Sequence, residues 1–318
     1  MRRALKPQGG EVITRAGEHM RCLEICAGIG GMSLGLKRAG FEHVALIEDD
    51  AKCVETLRRN GFCHIIQRDV RTVEYSPYRG VDLVAGGVPC QAFSVARKNE
   101  GARDARNLWP EAIRAVRECA PRYCLFENSS AMATRHRAYL DEIVRALESL
   151  GFYVLVHVVD AAHYGVPQHR KRLLLVGSRD APYAPPPPSP RLVTVRQAIA
   201  SLGRPSGRNG HTQHTGEARS YKGHTPNLLD RPCKAIVAGV HGPGGGCNVL
   251  QRDDGSLRYL TPREIARIQT FPDSFQLPET WSPAVRQLGN ACPPRLIEAF
   301  ARGMARASPR GADRQMHH

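Results

Sequence analysis

The chain has 318 residues, room for one large domain or two modest ones, and its 42% hydrophobic share is that of a protein that buries a core. Its apolar runs, such as 81–84 and 173–176, are strand-sized and far short of a bilayer span. The first twenty residues are basic and polar with no apolar leader, so the expected location is the cytoplasm. Lys and Arg outnumber Asp and Glu by 45 to 30, and a net charge of +15 favours a polyanionic partner, nucleic acid above all, although it also serves solubility.

In chain order, 21–26 reads as a strand, 32–39 as a helix, 43–47 as a strand and 51–60 as a helix. Strands are then predicted at 64–67 and 81–85, a helix at 108–119 and a strand at 123–127. A helix at 139–150 and strands at 153–159 and 172–176 complete the series. Such alternation predicts an α/β fold with a mostly parallel sheet and helices on both faces, its ligands at the C-terminal strand ends. The proline run at 181–190 cannot join a sheet. Residues 191–258 are rich in Gly, Arg and His with weak periodicity, which reads as a separate loop-rich region. Thr261-Pro-Arg-Glu264 has the form of a helix start with a capping box, and a last helix is expected at 295–305. The ten cysteines include no CxxC pair, and the spacing of the histidines is irregular, so no metal site is expected.

Chemistry gathers at the predicted strand ends. After the first strand come Cys26, Ala27, Gly28, Ile29, Gly30 and Gly31. Glycines there let a backbone approach a ligand, and by themselves they fit a plain tight turn equally well. Glu48 and Asp49 end the second strand, where an acid can grip ribose hydroxyls, and Asp69 and Val70 follow the third, suited to an adenine edge. The fourth strand runs through Gly87 and Pro89 into Cys90 and Gln91. By residue type alone Cys90 would be a buried structural thiol; its place past a strand end, on a Gly-Pro turn, makes it a candidate nucleophile. Glu127 ends the fifth strand, within reach of that turn. Gln168, Arg170 and Arg172 alternate on an extended segment before the last strand, suiting a phosphate or a base carbonyl, or else a solvated edge.

Taken in order, these motifs resemble the cytosine-C5 DNA methyltransferase family, bacterial type. They are the AGIGG turn, Pro89-Cys90-Gln91, Glu127-Asn128, Gln168-x-Arg170-x-Arg172, the segment from Arg263-Glu264 to Phe271-Pro272, and Gly289-Asn290-Ala291-Cys292-Pro293. The resemblance implies a Rossmann-like, S-adenosylmethionine-dependent catalytic domain over 20–180 and a smaller loop-rich target-recognition domain over 181–281. A segment at 282–306 would return to the catalytic domain, with flexible tails at 1–19 and 307–318. It implies that Cys90 adds to C6 of a flipped-out cytosine, that Glu127 holds its N3 and amino edge, and that Arg170 and Arg172 fix the backbone and the cytosine carbonyl. S-adenosylmethionine would leave as S-adenosylhomocysteine from a site lined by the residues at 26–31, Glu48, Asp49, Asp69, Val70, Gly87, Pro89, Leu108, Asn290 and Ala291. Gln91, Ser94, Arg97 and Lys98 would lie on a loop closing on DNA, and Gln168, Arg204, Arg208, Lys222 and Arg231 would contact it. Arg191, Arg196 and Arg219 are further candidates for phosphate or guanine contacts.

The implied partner is double-stranded DNA bound by a monomer associated with the nucleoid, with a cognate restriction endonuclease in the same cell and no membrane. Three positions depart from the pattern. Cys26 stands where an aromatic residue is usual, Glu24 replaces Asp, and Ser129 replaces Val. Two other readings are weighed: tRNA cytosine methylation, whose enzymes carry a Cys-Phe-Thr signature absent from this chain, and a non-catalytic DNA-binding relative, against which intact Cys90, Glu127 and Arg172 argue.

Overall fold

The structure, a computed structural model, describes residues 19–89, 107–214, 216–219, 225–238 and 248–306. The first half follows the expected alternation: β1 (Met20–Ile25), α1 (Gly31–Arg38), β2 (Phe41–Glu48), α2 (Ala51–Arg59), β3 (Ile65–Gln67), β4 (Leu83–Gly87), α3 (Trp109–Cys119), β5 (Tyr123–Ser129), α4 (Arg137–Ser149) and β6 (Tyr153–Asp160). Two-residue β7 (Gln168–His169) precedes β8 (Lys171–Ser178). Seven strands form one sheet in the order β3-β2-β1-β4-β5-β8-β6. The first five are mutually parallel, while β8 runs antiparallel between β5 and β6. The strand order reverses direction between β1 and β4, which opens a crevice at their C-terminal ends.

Strands covered on both faces lose the polar alternation of a half-exposed sheet. Leu173, Leu174, Leu175 and Val176 of β8 are all fully buried, each worth about 1.5–3 kcal/mol of transfer free energy. One face packs on α3 and α4 through Trp109, Val116, Leu140 and Ile143. The other carries α1 and α8 (Pro294–Arg306), where Leu296, Ile297, Phe300, Ala301 and Met304 meet Met32, Leu36, Leu174 and Val176. Helix α8 thus packs against the central sheet. The proline run does not join the sheet. It is tied alongside by the Tyr183 hydroxyl, which donates to Phe300 O at 2.6 Å, and by Ser189 N–H, which donates to His163 O at 2.7 Å.

Among the described residues, 191–258 form short elements: α5 (Val195–Ile199), β9 (Cys233–Lys234), which pairs with β7, and the ladder of β10 (Val249–Gln251) with β11 (Leu257–Tyr259). They share a third apolar cluster with α6 (Pro262–Ile268), α7 (Trp281–Asn290) and Ile29 of the first glycine turn. The capping box of α6 is present, with the Thr261 hydroxyl accepting from Glu264 N–H and the Glu264 carboxylate from Thr261 N–H. Helix α7 was not foreseen: Pro283 in its first turn and Gly289 near its end disguise it, although proline is tolerated at a helix start. No helix among the described residues is long and apolar enough to cross a membrane.

Candidate active site

A cleft of about 560 Å³ opens at the C-terminal ends of β1, β2, β4 and β5, within the range of sites for small organic ligands. Its walls include Cys26, Ala27, Gly28, Ile29, Gly31, Glu48, Asp49, Asp69, Val70, Gly87, Pro89, Leu108, Asn290 and Ala291. All fourteen were named from sequence through motif and strand-end reasoning; Gly30 alone of that set is not among the cleft's lining residues. Gly30 has φ +86° and N-caps α1, and a Cβ there would lie 2.9 Å from Leu57 and Phe62. Its small size serves the turn and the contact with Leu57 of α2 and with Phe62.

Glu48 is the anchor of the nucleoside end. One carboxylate oxygen accepts from Gly28 N–H at 2.7 Å and the other from Asp50 N–H at 2.9 Å. Burial raises the carboxyl's pKa; the N–H groups of Asp50 and Gly28 oppose that rise, and the neighbouring Asp49 adds to it. A fixed acid at the end of β2, facing a turn with room above it, is what a ribose diol requires. Across the cleft Asp69 caps the turn after β3 by accepting from Arg71 N–H. The residues present therefore fit S-adenosylmethionine. Glu24, fully buried beneath, has one oxygen 2.8 Å from His43 Nε2. The longer side chain, where Asp is usual, reaches across to β2.

The reacting end is built on β5. Glu127 is 9% exposed, and its carboxylate is 2.7 Å from Arg172 Nε, contributed by β8 one strand over. Antiparallel pairing sets this meeting: Ser129 lies opposite Arg172, which brings the guanidinium back over Glu127. Asn128, next in sequence, donates its side-chain amide to Val88 O at 3.0 Å and so pins the turn that leads through Pro89 into Cys90. Sequence reasoning named Asn128 only as part of a motif. Its role emerges from the strand pairing. Ser129, in place of Val, caps the short turn after β5 through Ala131 N–H. Cys90, Gln91, Ser94, Arg97, Lys98 and Lys222 lie outside the described residues.

Two of the expected nucleic-acid contacts are corrected. Gln168 is fully buried: its amide N–H donates to Gln269 Oε1 at 2.9 Å, and its oxygen accepts from Ile236 N–H at 2.8 Å. It faces the protein interior, not a solvent-exposed surface. Arg170, 2% exposed, spends its guanidinium on the carbonyls of Ile236 at 2.6 Å, Gly289 at 2.7 Å and Ala291 at 3.3 Å. Burial, and then the neighbouring Arg172 cation, push its pKa down to about 9, still charged at neutral pH. It is a structural clamp, and Arg172 alone of the pair faces Glu127. Arg204, Arg208 and Arg231 are exposed. Arg196 is held by Asp230 and Asp253, so its guanidinium is already paired. His211 Nδ1 lies 3.0 Å from Thr261 Oγ1, and the His214 ring packs on Tyr259 and Trp281. Arg68, Arg71 and Arg286 also line the cleft and were not foreseen; Arg286 sits on the unpredicted α7. A wider groove of about 790 Å³ among α1, α6 and α8 is lined by Arg38, Arg267, Arg295 and Arg302 and holds none of the strand-end acids.

A family model for C-5 cytosine-specific DNA methylase matches residues 20–200 and 193–306. The Type II methyltransferase M.NgoMIV of Neisseria gonorrhoeae is 36% identical over 306 residues, covering 90% of this chain and 97% of that protein. M.AplI of Arthrospira platensis is 33% identical over 296 residues, covering 89% and 84%. Among solved structures, a variant of Spodoptera frugiperda DNMT2 superposes with a TM-score of 0.71 at 17% identity, covering 91% of this chain and 100% of that one. Schizosaccharomyces pombe Dnmt2 gives 0.67 at 18%, covering 90% and 98%. At those identities the likeness carries the fold.

Proposed function

The chain belongs to the C-5 cytosine-specific DNA methylase family, and from that premise we propose how its residues divide the reaction. The enzyme methylates C5 of cytosine in DNA, with S-adenosylmethionine supplying an electrophilic methyl group on its sulfonium. In the proposed assignment Glu48 grips the ribose, Asp69 and Val70 flank the adenine, and Asn290 and Ala291 close the opposite wall. Cys26, less bulky than an aromatic ring, offers the adenine less stacking surface.

A stacked cytosine cannot present its ring face to a thiol, so the base must leave the duplex. The Cys90 thiolate then adds to C6, and Glu127 at the N3 and amino edge stabilises the charge that this places on the ring. C5, now nucleophilic, accepts the methyl group. Loss of the C5 proton re-forms the C5–C6 double bond and expels Cys90. Arg172 orients Glu127 and offers its remaining N–H groups to the cytosine carbonyl. The supporting observation is the Glu127–Arg172 pair at 2.7 Å on the wall of the same cleft that holds Glu48, with Asn128 pinning the turn into Cys90.

We assign target recognition to the region 181–281, with Arg204, Arg208 and Arg231 as exposed candidates for phosphate or guanine. The reading extends to a monomer acting on one short duplex sequence in the cytoplasm beside a cognate endonuclease. The test is base-resolution sequencing of cytosine methylation in a strain lacking it, with wild type and Cys90→Ala expressed in parallel. Protected cytosines within one short motif, absent with Cys90→Ala, are expected. Their absence with soluble wild-type protein would overturn the assignment.

A further inference from the structure

Where the recognition region meets the catalytic domain, the contact is made by buried polar groups, all of them hydrogen-bonded to one another or to main chain except Arg170 Nε. Ile236 is held at both of its backbone groups: its N–H donates to Gln168 Oε1 at 2.8 Å and its carbonyl accepts from Arg170 at 2.6 Å. Gln168 and Arg170 imitate a neighbouring strand just past the two residue pairs of β7 and β9. From the same two side chains the contacts continue to α7. Arg170 reaches the carbonyls of Gly289 and Ala291. Gln168 passes its second hydrogen bond to Gln269, whose own N–H donates to Leu288 O at 2.5 Å. Gly289 presses directly on the backbone of Val237 and Ala238, with no room for a Cβ. Gly289, Asn290 and Ala291 line the cofactor cleft.

A purely adhesive interface between two such units could be apolar, and part of this one is: Ile236, Ile29, Leu288 and Ala291 share a cluster. Polar groups buried this completely are tolerated only when all partners are in place, and their directionality admits one arrangement where an apolar contact admits several. A shift of the 233–238 segment therefore cannot be absorbed locally. It must break hydrogen bonds at Ile236 or carry Gly289–Ala291 with it.

We propose that Gln168, Gln269 and Arg170 are positioning residues that couple the recognition segment 233–238 to the cofactor turn 289–291, so that duplex and cofactor each tighten the binding of the other. This rests on the methyltransferase reading and on 181–281 as the recognition region. Coupling of this kind is reciprocal by linkage: the factor by which duplex tightens cofactor binding equals the factor by which cofactor tightens duplex binding, typically about 5–150-fold.

The experiment measures the dissociation constant of S-adenosylhomocysteine with and without saturating short fragments of unmethylated bacterial DNA, and the DNA affinity with and without S-adenosylhomocysteine. In wild type the two ratios should agree at about fivefold or more. In Gln168→Met, which removes the amide at nearly constant volume, both ratios should fall to within about twofold of unity while the protein remains folded. Loss of packing alone would weaken the affinities with the ratio kept, and a kept ratio overturns the proposal, as does a wild type without coupling. If Gln168→Met does not fold, Gln269→Met and Arg170→Lys are read by the same ratio. Gln168→Glu, which still accepts from Ile236 and Arg170 but cannot donate to Gln269, should lie between wild type and Gln168→Met. Failure of wild type to bind either ligand would instead refute the methyltransferase reading itself, and the proposal with it.

Discussion

The two halves of this molecule solve the same problem with different materials. From β1 to β8 the chain holds itself by ladder hydrogen bonds and by runs of fully buried Leu, Ile and Val. Among the described residues from 191 to 277 the strands are two or three residues long, and side chains take over the work of a ladder. Asn227 accepts from Lys234 N–H and donates to Val249 O. Arg263, 3% exposed, donates to the carbonyls of Asn209, Pro272 and Phe275. Arg258 grips Glu264 with two hydrogen bonds at 2.6 Å. A loop-rich surface that must vary its contour cannot rely on periodic apolar residues, and a polar side chain reaching for a main-chain carbonyl fixes one loop without dictating its neighbours.

That contrast can be tested by substitutions that should damage one half's task and spare the other's. The largest effect after Cys90→Ala belongs to Glu127→Gln. Initial rates of radiolabelled methyl transfer should drop by ~100-fold or more, the scale of a lost acid–base group, while DNA binding persists. Arg263→Met should act on stability. Three carbonyls, that of Phe275 buried, lose their donor, and urea unfolding should report a loss of about 2–3 kcal/mol. An unchanged midpoint would mean that the loops are not held by that guanidinium.

Next comes Asp160, which caps the turn after β6 and accepts from the N–H groups of Ala162 and Arg170 and from His169. Burial alone would raise its carboxyl, but His169 and the two N–H groups outweigh that and hold it below the ordinary 3.8. A depressed acid lends stability above its unfolded value and surrenders it as pH falls through the folded one. Thermal melts between pH 6 and pH 2 should therefore show Asp160→Asn losing less than wild type in the acid limb. The smallest effect is expected of Arg196→Ala, since its pairs with Asp230 and Asp253 are exposed. Its small drop in melting temperature should shrink further at high salt.

The same contrast explains what the sequence disclosed. The strand ends were legible because parallel strands declare themselves as apolar runs, and whatever follows such a run faces the crevice. Glu48, Asp69 and Glu127 were found that way, without any contact being known. Gln168 and Arg170 were misplaced for the complementary reason. Their motif spacing said extended segment, and extended Arg suggests phosphate, but whether an alternate residue faces solvent or a neighbouring loop depends on the partner chain segment. Here that partner is Ile236, more than sixty residues away and in a stretch without periodicity. Helix α7 escaped notice because proline and glycine, read locally, argue against a helix that the surrounding core nevertheless forms.

The packing of α8 on α1 has a bearing on how the chain is born. One face of the central sheet is closed by α1 and α8, so the apolar surface of β1, β4 and β8 on that side stays partly uncovered until α8 has been synthesised. At ~5–20 residues per second, roughly 15–50 s separate the synthesis of α1 from that of α8. Until α8 is made, Leu36, Leu83, Leu125 and, once β8 is synthesised, Leu174 lack the cover of Leu296, Ile297 and Phe300. Contacts between such distant parts of a chain form slowly and invite association with chaperones or with other nascent chains. A truncation at Pro293 would hold the molecule in that state: the strand ends would all be present, and one side of the sheet beneath them would remain open.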